Sequence, residues 1–219
     1  MAGKKSNKQT KKNAKSKKTK QETRSKSDEQ NNKQDRNKRD KKGKKQNKKQ
    51  KKEKLRILAA GDIHGSTDLA EKLSRKAERE KVDLVVLAGD IHGFVESENA
   101  SEGILKPFKT KHQKVVFVPG NWDTSIEAIE LRNQGAKNLH GYYVNYNDVS
   151  ILGIGSPDFK FVHNKKSFDV LRKNFDRINK KDKHSRKILV SHLHAADTRA
   201  EFSGIKGDEL LRYAIEYFH

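Results

Sequence analysis

The chain has no cysteine, only three prolines and a single tryptophan. Without cysteine there is no disulfide framework, no thiolate zinc site and no cysteine nucleophile. No run of about 18 consecutive apolar residues occurs, so nothing reads as a membrane span. The N-terminus is basic but carries no apolar segment behind its charges, which excludes a secretory signal. These absences predict a cytoplasmic protein. The most telling absence is local: residues 1–54 contain no Val, Ile, Leu, Phe, Tyr or Trp. Such a segment cannot bury enough apolar surface to offset the entropy of ordering itself, so it is expected to be disordered.

Charge divides the chain at the same place. The whole sequence has 50 Lys+Arg against 29 Asp+Glu, a net charge of +21. Residues 1–54 hold 24 basic and 6 acidic residues, and residues 55–219 hold 26 and 23. The basic excess therefore belongs to a Lys-rich tail, and 55–219 is long enough for one globular domain with a core of its own. A polycation of this kind binds phosphate backbones by counterion release, without sequence preference. Having no aromatic residue, it cannot stack on bases. Non-specific nucleic acid is thus the partner the tail suggests, with a solvating tail or a receptor-read sorting signal as the other readings.

From Leu55 the pattern changes. Leu55–Ala60 is an apolar run that reads as a buried strand, followed by a helix capped by Ser66 or Thr67 with Leu69, Leu73 and Ala77 at four-residue spacing. Leu84–Ala88 and Val115–Val118 read as two further strands, the second reached by a longer excursion. Thr124 can cap a helix bearing Ile126, Ile129 and Leu131. Strands are expected at Tyr142–Tyr146 and Val149–Ile154 around an Asn147-Asp148 turn, then a charged helix near 167–180 and a strand at Ile188–Val190. Leu210, Leu211, Ala214 and Ile215 mark a final amphipathic helix. Strand, helix and strand in alternation imply an α/β fold with a parallel sheet.

Each expected parallel strand ends in a polar cluster: Gly61-Asp62-Ile63-His64-Gly65, Gly89-Asp90-Ile91-His92-Gly93, Gly120-Asn121-Trp122-Asp123 and Ser191-His192-Leu193-His194. Ligands of open α/β sheets bind at the carboxyl ends of the strands. A lone Asp-x-His after a strand is usually a turn or a cap. Four such clusters in order instead predict a shared metal site of oxygen and imidazole donors, suited to Mn, Fe, Zn or a similar divalent ion.

Those four blocks resemble the calcineurin-like metallophosphoesterase family over essentially all of 55–219. The resemblance implies a layered α-β-β-α sandwich with two metal ions. Asp62 and His64 would bind the first metal, Asp90 would bridge both, and Asn121 and His192 would bind the second. Asp90 and Asn121 would sit at the catalytic centre, and His92 and His194 are candidate auxiliary ligands. A metal-activated hydroxide would attack the phosphorus of a phosphomonoester or phosphodiester in line.

Two departures stand out. Where the family usually has a histidine after the asparagine, this chain has Trp122, which carries no proton it can usefully transfer. The family also ends in a Gly-His-x-His block; here Gly207–Tyr217 resembles the helix before it, and the sequence stops at His219. The expectation is therefore a domain truncated before its last motif, with His219 a neighbour outside the family pattern. Reading Ser191–His194 as the terminal block is the less favoured alternative. A metal-dependent phosphoesterase is the leading functional expectation; the alternative is an inactive binding module of the same fold, tethered to nucleic acid or ribosomes by its tail.

Overall fold

The computed structural model describes residues 54–93, 100–160, 162–181 and 183–218. Residues 1–53 of the tail expected to be disordered, and His219, lie outside the described residues. Lys54–His219 forms one compact unit.

Two sheets make its centre. In the first, β1 (Ile57–Ala60), β2 (Leu84–Ala88), β3 (Val115–Val118) and β4 (Lys137–Asn138) are all parallel and lie in that order. In the second, β5 (Tyr143–Tyr146) runs antiparallel to β6 (Val149–Ile154), and β7 (Arg186–Ser191) runs parallel to β6. Helices α1 (Thr67–Arg79), α2 (Ala100–Thr110) and α3 (Ser125–Asn133) follow β1, β2 and β3, while α4 (Lys165–Lys181) and α5 (Glu209–Phe218) flank the second sheet.

The layering follows from side-chain alternation on strands buried on both faces. Val85 and Leu87 of β2 and Val115 and Phe117 of β3 point to one core with Ala70, Ile104, Phe108 and Leu131 from the helices. Their neighbours Leu84, Val86, Val116 and Val118 point the other way and meet Val149, Ile151 and Val190 of the second sheet. The far face of that sheet, through Ile154 and Leu189, packs on Leu171, Leu211 and Ala214 of α4 and α5. The order is helix, sheet, sheet, helix, as expected.

Local signals explain most elements. Ser66 caps α1, its hydroxyl accepting the Leu69 N–H at 3.2 Å. Thr124 and Glu127 form a reciprocal capping box that starts α3. One boundary needs correction, and two helices show details that spacing alone does not give. Helix α3 carries Ile126, Ile129 and Leu131 as expected; Ile126 and Ile129 are 70% and 51% exposed, while Ala128 and Leu131 take the inward face. The excursion before β3 contains a full helix, α2, despite Gly103 and Pro107; Ile104, Leu105 and Phe108 are completely buried there, and burial of this kind outweighs the weak propensity. Finally, β1 begins at Ile57, with Leu55 packed beside the inter-sheet core rather than paired.

Candidate metal centre

Parallel pairing brings the carboxyl ends of β1, β2 and β3 to one edge, and the chain beyond them stays in register. The Asp62 N–H donates to the Gly89 carbonyl at 3.0 Å, His64 to that of Asp90 at 2.9 Å, and Gly65 to that of Ile91 at 2.9 Å. The turns are sharp. Asp62, His64 and Asp90 all lie in the left-handed region, with φ of 54°, 47° and 49°. Asp and His tolerate this region better than bulkier residues, yet three such positions at one edge store strain of a kind that clusters at functional sites.

Asp90 is the centre of the arrangement. It is buried, and its two oxygens are treated differently. Oδ1 accepts the Trp122 backbone N–H at 3.0 Å. Oδ2 lies 3.2 Å from His192 Nε2 and 3.9 Å from His64 Nε2, which is itself 3.8 Å from Asp62 Oδ1. His192 Nε2 is also 3.0 Å from Asn121 Oδ1. Asp90 Oδ2 thus stands between two donor sets, Asp62 with His64 and Asn121 with His192. Asp62, Asp90 and His192 each place a ligand atom within 4.8 Å of the others'.

Two glycines allow this closeness. A Cβ on Gly120 would stand 2.1 Å from Asp90 Oδ1, and one on Gly89, whose φ is +86°, would stand 2.5 Å from the His192 side chain. Neither position admits another residue without moving the donors.

The donor set fits divalent cations. Two ligands each about 2.1 Å from one ion at tetrahedral to octahedral angles lie about 3.0–3.4 Å apart, the separation found around His192 Nε2. Electrostatics agree. Burial pushes the His192 pKa down, but hydrogen bonds to Asp90 and to the Ala88 carbonyl, with the charges of Asp90 and Asp62, outweigh it and raise the pKa. Burial likewise pushes Asp90 up, while His192, the Trp122 N–H and His64 together bring it below the usual carboxylate range. The Ala88 carbonyl accepts from His192 Nδ1 at 2.9 Å, so Nε2 is left facing Asp90 and Asn121 oxygens. That point favours a positive charge, whether a proton or a metal ion.

A calcineurin-like phosphoesterase family profile matches residues 55–218. The chain belongs to the calcineurin-like phosphoesterase family. Solved structures show the same fold. TT1561 of Thermus thermophilus is similar at 17% identity over 75% of this chain and 78% of that one, with a TM-score of 0.57. A second solved structure is similar at 14% identity over 75% and 80%, with a TM-score of 0.55. No curated protein sequence matches the chain. Members of this family typically use two divalent metal ions, and this phosphoesterase domain has candidate acidic and histidine groups for them. Among its described residues no helix is long and apolar enough to cross a membrane.

The remaining expected residues fall elsewhere. His92 is buried and joins Asp123 and Glu127 in a second cluster of possible ligand atoms. Protein groups already occupy those atoms. Asp123 Oδ1 accepts the Ile91 and His92 N–H groups at 2.9 Å and faces His92 Nδ1 at 3.2 Å, and its Oδ2 accepts the Gly120 N–H at 2.7 Å. His92 Nε2 meets Ser101 Oγ at 2.8 Å. The cluster is a hydrogen-bonded knot tying the loops that carry Asp90 and Asn121. His194 is half-buried, its Nε2 3.1 Å from the Ile205 carbonyl, and it is not in the donor group around Asp90. Trp122 packs edge-on against Phe159, with ring centres 5.1 Å apart. The sequence places Asp123 in the third cluster but assigns it no role; four donors converging on one buried carboxylate appear only once the loops are placed.

Proposed function

We propose that the domain is a dinuclear metal-dependent phosphoesterase that hydrolyses a phosphomonoester or phosphodiester, with Asp62, His64, Asp90, Asn121 and His192 as the protein ligands. The observation that carries this reading is the position of Asp90 Oδ2 between two donor sets, 3.2 Å from His192 and 3.9 Å from His64. Bound divalent ions supply charge stabilisation for the phosphoryl oxygens and lower the pKa of water. The chain's own residues supply the rest. Trp122's backbone N–H holds Asp90 Oδ1, which leaves Oδ2 to serve both sides. The Ala88 carbonyl fixes the His192 ring so that Nε2 faces the site. Asn121, an uncharged oxygen donor, completes its side without adding a further negative charge.

Trp122 bears on the choice of substrate. The indole has no titratable proton, so this position gives no proton to a departing alkoxide. Esters with weakly basic leaving groups should therefore react best. The test is hydrolysis of a nitrophenyl phosphodiester and a nitrophenyl phosphomonoester with added Mn²⁺, against the matching alkyl esters. Turnover of the nitrophenyl esters that is lost in Asp90→Asn supports the reading. No turnover above metal alone by a protein shown to hold two ions would refute it.

A further inference from the structure

A cavity of about 230 Å³ lies on the other side of the loop that follows β6. His140, Ser156, Lys160, His163, Lys166 and Ser167 line it together with Asn164 and apolar residues, and no Asp or Glu does. This volume is below the range of about 300–1,000 Å³ typical of drug-sized ligands. Two lysines, two imidazoles and two hydroxyls around so small a space, with no acidic residue in the wall, make an environment for a compact anion.

The wall is built rather than incidental. The Gly155 N–H donates to His140 Nδ1 at 2.9 Å, so the ring proton of neutral His140 is on Nε2, where it is a donor. The buried His163 ring is held on both sides, Nε2 by Ser156 Oγ at 3.0 Å and Nδ1 by Asp208 Oδ1 at 3.4 Å. Asp208 is fixed in turn, accepting the Leu211 N–H and the His163 N–H, each at 2.6 Å. Asp208 stands behind His163, outside the wall. Burial lowers the pKa of His140, and the positive charge of Lys160 adds to the lowering.

We propose that this cavity binds a phosphate-type oxyanion, with Lys160, Lys166 and the Nε2–H of His140 as its donors. None of the ligands proposed for the metals lines it, so the site stands whether or not the centre around Asp90 holds metal. It is nonetheless joined to that centre. The loop between the cavity and the strand ends donates its Ser156, Asp158 and Phe159 N–H groups to the carbonyls of Pro119, Asp123 and Asn121 at 3.0, 2.9 and 2.6 Å. An anion drawing Lys160 inward acts next to Phe159, whose N–H holds the Asn121 carbonyl. Product phosphate from a neighbouring hydrolytic centre is one source of the ligand; free oxyanion from solution is the other.

The experiment is a titration of the full-length protein, dialysed free of metal, with inorganic phosphate, followed by NMR at constant ionic strength. The readouts are the His140 and His163 ring resonances and the Lys160 and Ser167 amides, none of which reports on the basic tail. Saturable shifts in the millimolar range are expected, reproduced by sulfate but not by chloride. Lys160→Ala and Lys166→Ala should each weaken binding about tenfold. Both lysines are exposed, so the folded spectrum should persist in the variants. Absence of saturation, equal shifts with chloride, or unchanged affinity in both variants would overturn the proposal. To separate the sources, the metal-loaded protein is given a phosphomonoester it turns over. Shifts that develop with hydrolysis identify product as a ligand of the site, and shifts seen only with added phosphate identify solution oxyanion.

Discussion

Asp123 is the residue whose removal should cost most for its size. It is completely buried, and its carboxylate accepts three backbone N–H groups from Ile91, His92 and Gly120 at 2.7–2.9 Å. Hydrogen bonds to a charged group contribute about 1.5–3 kcal/mol each, and the three share one acceptor, so their losses add incompletely. Asp123→Ala leaves all three donors without a partner, and a destabilisation of about 4 kcal/mol is expected. Asp123→Asn keeps an oxygen for Ile91 and His92 but turns an amide NH₂ toward the Gly120 N–H, so about 2 kcal/mol is expected. Against a total stability of about 5–15 kcal/mol, the alanine variant loses a large share and the asparagine variant about half as much.

Urea unfolding separates the cases. With a slope of about 2 kcal/mol per molar, the asparagine variant should lose about 1 M in its midpoint and the alanine variant about twice that. The donors to Asp123 lie directly after Asp90 and directly before Asn121, so the folded asparagine variant should also bind divalent metal more weakly. If both variants stay within about 0.5 kcal/mol of the parent, the knot has no energetic role and the reasoning fails.

Other expectations follow from the same geometry. Burial lowers the pKa values of His140 and His163, so both are neutral in the fold and gain protons more readily once unfolded. Their contribution to stability is complete above the unfolded value of about 6.5 and is lost as pH falls below it, so denaturation midpoints should drop between about pH 6.5 and 5. A His140→Gln/His163→Gln variant with an equally steep drop would contradict this. His64→Ala should reduce mainly one bound metal and His192→Ala mainly the other, whereas Asp90→Asn should reduce both; elemental analysis giving the same loss for all three variants argues against a bridging carboxylate. Nucleic-acid binding by the full chain should weaken steeply with salt, log K falling by about 0.9 per phosphate contacted for each tenfold rise; deleting residues 1–54 should abolish most of that slope, and unchanged binding would place the contact in the domain.

The fold was legible where both faces of a strand are buried, because an uninterrupted run such as Leu84–Ala88 or Val115–Val118 needs no partner to be recognised. It was less legible in α2, where Gly103 and Pro107 argue locally against a helix that only the filled core justifies. The stripe of α3 shows the converse. Ile126 and Ile129 lie on the helix as expected, yet Ala128 and Leu131 are the residues that turn inward. At the site, chemistry was readable but environment was not. His92 and His192 each follow a strand in a His-bearing cluster. One has both ring nitrogens facing Asp123 and Ser101, and the other points a nitrogen at Asp90 and Asn121. The cavity around His163 had no signal beyond Asp208 standing as a cap before α5, because its members come from separate segments with no shared spacing.

The two donor sets around Asp90 differ in how the chain builds them, and the difference bears on how each would hold a cation. Asp62 and His64 are two residues apart on one strained loop, and the Asp62 side chain is 68% exposed. Local spacing alone brings them together, and water competes for them. His192 reaches the site from the second sheet and meets Asn121 and Asp90 from the first, with its side chain 11% exposed and that of Asp90 5% exposed. This set exists only when the two sheets are packed, and its orientation is fixed by the Ala88 carbonyl and by close approach over Gly89. Preorganised and poorly hydrated donors lose less on binding than exposed ones. The His192 side should therefore be the tighter of the two and the one whose occupancy stabilises the packing of sheet on sheet. The Asp62–His64 side should exchange its ion more readily.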